Sequence, residues 1–380
     1  MMKAHSKSLS TLLKMTIFCW LSAIQMPVIM ADDIDDYFEQ FDSSNPLVKD
    51  EIIVPDAEDF NPEAVELEKE ATDFFWKQKN PVQAMELFHR ALKIEPRLVY
   101  APFHMSFYYR AIDKDRKKAV KLLKQALKHH PQINQYHIEL AETYLVFEKY
   151  KDAIKSYKNA LNSGYPEQAS IFFNIGLACY EAKKYESCIK YCNLALSLEP
   201  EHEKCRNILA MAYILEDDEA RAIETVGDSL AYFRIAGKLF LDLDKNTRAW
   251  DAIQRGISID SLDFELQFYK ALVLASEKKY KLAISVFDKL LESEPEHFSC
   301  LSHKGLCLVK LGEYDQALDA FHRLDELYPE DTRAKCAIGG MYFVDSLYSD
   351  ALYIFNEVLA IEPNNPYANE MAKILKHLVK

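Results

Sequence analysis

FSCLSHKGLCLVKLGEYDQALDAFHRLDELYPED, residues 298–331, reads as one structural unit. Leu301, Gly305 and Leu308 recur at i, i+4 and i+7, which places them on one face of an α-helix. A break falls at Gly312-Glu313, and Tyr314, Ala317, Phe321 and Leu324 then form a second apolar stripe. Pro329 ends that stripe, because proline lacks an N–H and its ring crowds the preceding turn. The stretch predicts a helix, a tight turn, an antiparallel helix and a stop.

The same unit recurs along the chain. A small residue marks each second helix: Ala84, Ala119, Ala153, Cys188, Ala222, Ala249, Ala283, Ala317 and Ala351. Successive gaps are 35, 34, 35, 34, 27, 34, 34 and 34 residues. Twelve residues before each marker stand Thr72, Phe107, Ala141, Gly176, Ala210, Gly237, Ala271, Gly305 and Gly339, all small but Phe107. Two helices cross closely only where neither carries bulk, so the paired small positions predict the contact within each helix pair. Four residues after the marker come Phe88, Leu123, Tyr157, Cys192, Val226, Ile253, Phe287, Phe321 and Phe355, nearly all bulky and apolar. Pro96, Pro131, Pro200, Pro295, Pro329 and Pro363 close six of the nine units. A fixed period near 34 is the mark of stacked helix pairs.

The pattern resembles the tetratricopeptide repeat family over about residues 63–380, with Asn174-Ile175-Gly176-Leu177-Ala178-Cys179-Tyr180 in a first helix and Tyr348-Ser349-Asp350-Ala351-Leu352 in a second. The resemblance implies an all-α, right-handed α-solenoid of about nine helix-turn-helix repeats. Residues 367–380, with Met371, Ile374, Leu375 and Leu378 on one face, are expected to cap it. It also implies a non-catalytic protein-binding scaffold or adaptor. First helices would line a concave groove with the positions 18, 15, 11, 8 and 7 before the marker. The groove positions of interest are His104 and Tyr108 in repeat two, and Ile138, Glu142 and Leu145 in repeat three. Phe173, Leu177 and Tyr180 follow in repeat four, and Asn207 and Met211 in repeat five. The stripe is apolar, as binding patches commonly are. Some relatives grip a carboxylate with a Lys–Asn pair at positions 15 and 11; no such pair stands here. Arg234 and Lys238, one turn apart, are candidates to meet an acidic partner, or form a solvated basic turn.

The 27-residue gap between Ala222 and Ala249 removes an inter-repeat loop beside Gly227. It predicts a division of the array into residues 63–228 and 229–380, with a change of superhelical pitch, or a harmless shortened turn. Upstream, residues 1–31 carry Lys3, Lys7 and Lys14, no acid, and an apolar run from Met15 to Ala31, which reads as an export signal. An uncleaved anchor or a mis-assigned start are the alternatives. Membrane contact is expected only through residues 15–31, if they remain. Residues 32–62 set eleven acids against Lys49 alone and read as a disordered leader.

Net charge is −13. That excludes nucleic acid as the expected partner, since such binding requires neutralising phosphates. No catalytic motif, metal-ligand spacing, cofactor fingerprint or small-molecule site is found. Cys179, Cys188, Cys192, Cys205, Cys300, Cys307 and Cys336 occupy core positions and read as buried thiols, although Cys179 and Cys188 stand where an oxidising compartment would allow a bridge. His202 and His297, each closing a Glu-Pro-Glu-His turn, read as helix caps. The expected setting is exported, periplasmic or envelope-associated, with a protein or peptide in the groove. The alternative is an intracellular secretion chaperone shielding an apolar partner segment.

Overall fold

The computed structural model describes residues 60–379; the expected export signal and nearly all of the acidic leader lie outside them. The described residues form nineteen helices and no strand. They divide into two compact units, 60–228 and 229–379.

The first unit holds five helix pairs. They are α1 Pro62–Trp76 with α2 Pro81–Ile94, α3 Tyr100–Ala111 with α4 Arg116–His129, and α5 Gln135–Val146 with α6 Tyr150–Asn162. Then come α7 Ala169–Glu181 with α8 Tyr185–Leu198, and α9 Glu203–Leu215 with the short α10 Glu219–Val226. The second unit holds α11 Ser229–Asp242 with α12 Asn246–Ile259, α13 Phe264–Ser276 with α14 Tyr280–Ser293, and α15 Phe298–Leu311 with α16 Tyr314–Leu327. It closes with α17 Thr332–Val344, α18 Tyr348–Ile361 and the final helix α19 Pro366–Leu378. The fold is an all-α repeat solenoid.

Each boundary has a local cause. Asn61 caps α1 by accepting from the Glu63 and Ala64 N–H groups at 3.0 and 3.4 Å, and Pro62 opens the helix with its pre-set φ. Every turn within a pair contains one residue in left-handed conformation: Lys79, Lys114, Glu148, Lys183, Asp217, Asp244, Lys278, Gly312 and Ser346. That conformation reverses the chain in two to four residues, and only Gly312 adopts it without steric cost. Gly227, also left-handed, ends α10 by donating to Ile223 O at 2.8 Å.

All nine marker residues are fully buried. Where the first helix carries a glycine, the residue one turn after the marker lies over it. A Cβ added to Gly305 would sit 2.8 Å from the Phe321 ring, one on Gly339 3.0 Å from Phe355, and one on Gly176 2.7 Å from Cys192 Sγ. Glycine therefore lets a side chain pack directly on the backbone, at interior density.

Two expectations need correction. In the first two pairs the fully buried small residues are Ala71 and Ser106, thirteen before the marker, rather than Thr72 and Phe107. The connection in these pairs is one residue longer than between Val146 and Tyr150, which shifts the register. In α19 the buried face is Ala368, Met371, Ala372 and Leu375, whereas Ile374 and Leu378 are 39% and 41% exposed. The face spaced i, i+3, i+4, i+7 wins because Ala368 and Ala372 allow close approach.

Candidate functional site

First helices of the 60–228 unit supply the residues that sequence reasoning singled out, except Arg234 and Lys238. His104 and Ile138 are buried in the core. Tyr108, Glu142, Leu145, Phe173, Leu177, Tyr180 and Met211 are half-buried, Asn207 is exposed, and Val146 beside Leu145 is 50% exposed. Neighbouring repeats touch through this set. The Phe173 ring lies 4.6 Å from that of His202. Tyr180 Oη donates to Met211 Sδ at 3.7 Å, and its ring is 5.9 Å from Tyr185. The accessible remainder is an apolar strip on α5, α7 and α9.

A charged cluster underlies one end of the strip. Arg110 of α3, 1% exposed, holds Glu139 at 3.3 Å and Glu142 at 3.0 Å, both on α5. Burial pushes the Glu139 carboxyl above its ordinary range, and the opposing pull of Arg110 is partly undone by Glu142. Sequence reasoning named Glu142 but missed Arg110 and Glu139. The signal available was opposite charge at a separation close to one repeat.

Two further buried groups brace the first repeats. Glu68 of α1 accepts from the Ala101 N–H at 2.6 Å, filling the role that the uncapped start of α3 leaves open. Burial raises its carboxyl to about 7, against the lowering effect of the Ala101 and Tyr100 N–H groups. Trp76 Nε1 donates to His104 Nδ1 at 3.1 Å, so the imidazole is neutral with its proton on Nε2. Burial lowers His104 to about 4.

Glu68 yields a pH prediction. Its folded value lies above the ordinary 4.5, so the native state keeps a proton that the unfolded chain has lost. Stability therefore declines as pH rises from about 4.5 through about 7. Glu68→Gln keeps the acceptor and removes the charge. It is expected to be more stable than wild type at pH 8, by about 1–2 kcal/mol after discounting the full linkage value. At about pH 5 the two should melt alike, and thermal melts at both pH values check this.

In the second unit, Arg234 is engaged within the fold. Its guanidinium grips the buried Asp263 carboxylate, with Nε at 2.8 Å, and stands 3.6 Å from Glu265. Asp263 also caps α13 by accepting from Leu266 N–H at 2.9 Å. Lys238 is exposed and lies 3.5 Å from Asp242. Both cations are ion-paired within the fold, and both side chains stay accessible, 38% for Arg234 and 61% for Lys238.

His202 and His297 cap α9 and α15 by accepting from the Cys205 and Cys300 N–H groups at 3.3 and 3.2 Å. All seven described cysteines are free and buried, Cys179 and Cys188 included. Burial raises the Cys179 thiol to about 11 and Cys300 to about 12, so both stay protonated at neutral pH. Among the described residues, no helix is long and apolar enough to cross a membrane.

Stacked helix pairs, each with a fully buried small residue in its second helix, define a helical-repeat protein. The family model described as Tetratricopeptide repeat matches residues 114–158, 138–203 and 304–366. The model described as Anaphase-promoting complex, cyclosome, subunit 3 matches residues 260–324. The chain thus resembles the tetratricopeptide repeat family in both units. Protein O-mannosyl-transferase TMTC3 of Homo sapiens is 24% identical over 324 residues, covering 77% of this chain and 35% of that protein. The Hsp70-Hsp90 organizing protein of Triticum aestivum is 25% identical over 236 residues, covering 57% of this chain and 39% of that one. The chain therefore spans little more than a third of these relatives' length. Among solved structures, the APC/C hetero-tetramer Cut9-Hcn1 aligns with a TM-score of 0.40 at 15% identity, over 82% of this chain and 76% of that one.

Proposed function

We propose that the chain is a non-catalytic scaffold that binds a segment of a partner protein on the strip formed by α5, α7 and α9. The observation that carries this reading is the accessible apolar row of Val146, Phe173, Leu177, Tyr180 and Met211, contributed by three successive repeats. Such a row suits an amphipathic helix or an extended segment, whose side chains repeat along it as the repeats do. The similarity to an Hsp70-Hsp90 organizing protein and to a family described as a subunit of a complex supports a role in assembly. The transferase named in the human relative belongs to a protein of which this chain covers only 35%.

The test is a crosslinking pull-down comparing wild type with Phe173→Asp and Tyr180→Asp. Both side chains are half-buried at the surface, so a buried carboxylate is not forced on the core. The variants are expected to lose most of the crosslinked partner while melting within about 1 kcal/mol of wild type. Equal recovery of the same partners would remove the strip from consideration.

Export places the scaffold in the periplasm or envelope, on the strength of the basic and apolar opening sequence. A second reading, an intracellular secretion chaperone, is favoured by the seven unbridged thiols. Fractionation with N-terminal sequencing separates them: a mature end at Asp32 supports export, and an intact end in the cytosol supports the chaperone.

A further inference from the structure

Carboxylates border the apolar strip, and their neighbours leave them short of positive charge. Arg110 is one cation facing two acids, Glu139 and Glu142, of which Glu142 keeps a 31% exposed side chain. Behind them, the Tyr157 hydroxyl is fully buried beside Asn174. Its surroundings are Glu142, Arg110 and Glu139.

The acids continue along the edge where first helices meet their turns. Glu148, Glu181 and Glu216 succeed one another in repeats three, four and five. Tyr150 lies near Glu181 and Glu148, and Tyr185 near Glu216 and Glu181. Lys183 and Lys184 share the turn after Glu181, yet the charge acting on Glu181 is the like charge of Glu148, which adds to burial in raising its carboxyl. None of the three is in an ion pair among the described residues.

We infer that this face takes a basic amphipathic segment of a partner protein. Its apolar side lies on the Phe173–Met211 strip, one lysine or arginine seats at Glu142, and further cations follow Glu148, Glu181 and Glu216. The inference rests on the strip being the binding face and adds the partner's charge. An uncharged apolar segment leaves these carboxylates uncompensated as water is excluded, and an acidic one adds repulsion.

The probe is a pair of amphipathic peptides of about 16 residues, long enough for roughly four helical turns. They share a leucine face and carry either lysine or glutamate on the other. Binding to the full chain is read by fluorescence anisotropy. The lysine peptide is expected to bind at least about tenfold tighter at low salt. That preference should shrink as ionic strength rises from about 0.05 to about 0.5 M. Glu142→Gln combined with Glu181→Gln is expected to remove most of it, and Phe173→Asp to weaken both peptides. Glu181 is exposed, so Glu181→Gln alone keeps the test valid should Glu142→Gln disturb Arg110. Equal binding, a preference for glutamate, no binding by either peptide, or an undiminished preference in the glutamine variants overturns the inference. If Phe173→Asp still abolishes partner crosslinking in that event, the binding face stands and only its charge selectivity falls.

Discussion

Arg110→Ala lowers the stability of the first unit by about 3–5 kcal/mol at pH 8, with a visibly smaller loss at pH 5. The cause is what remains behind. Glu139 is 3% exposed and Glu142 stands next to it, so losing the guanidinium leaves two carboxylates repelling each other without a cation. The Glu139 carboxyl is already held above its ordinary 4.5 by burial in the presence of Arg110. Without the arginine it rises further. A native group with a raised value binds more protons than the unfolded chain does, so stability falls as pH rises through that interval. The deficit therefore grows from acid to alkaline conditions. Urea denaturation at both pH values, followed by circular dichroism, measures it. Replacing the partner as well, in Arg110→Met with Glu139→Met, should recover most of the loss at pH 8, because a buried pair is often exchanged for apolar residues at little cost. An Arg110→Ala deficit that is equal at both pH values, or unrelieved in the double variant, would show that the pair contributes only packing.

That cluster also marks where sequence reasoning ran short. The markers, the bulky residues one turn later and the histidine caps were legible because each is a local pattern repeated along the chain. Fully buried Ala84 through Ala351 and the N–H bonds to His202 and His297 follow from spacing within one helix or turn. Arg110 with Glu139 and Arg234 with Asp263 are different: each pair spans 29 residues and joins the first helix of one repeat to that of the next. Which side chains meet there depends on the angle at which repeats stack, and no helical period encodes that angle. Arg234 could be placed on a face from sequence, but not in contact with its carboxylate. The first two repeats add a second lesson. One extra residue before Pro81 and before Arg116 moved the small contact from Thr72 to Ala71 and from Phe107 to Ser106. A fixed offset cannot detect an insertion when neighbouring residues are also short or apolar.

The geometry of the small residues can be tested directly in the repeat that defines the period. Phe321→Ala is expected to cost about 3–5 kcal/mol, the range for deleting a buried aromatic side chain from a core that only partly collapses. Phe321 is 2% exposed, and its ring end lies over the Gly305 backbone. Gly305→Ala should cost about 1–3 kcal/mol, although alanine is the better helix former. The added Cβ would fall 2.8 and 2.9 Å from two ring carbons, too close for the ring to stay where its neighbours hold it. The decisive measurement is the same glycine substitution in a Phe321→Leu background. Leucine has no ring end at that point, so the penalty should shrink or reverse, and the coupling energy of the cycle reports the contact itself. Exposed Leu282, 58% accessible, supplies the control: Leu282→Ala should lie within about 0.5 kcal/mol of wild type. If Gly305→Ala costs the same in both backgrounds, the glycine is not there to admit the ring. The regular spacing of small residues would then need another cause, such as contact with the following repeat.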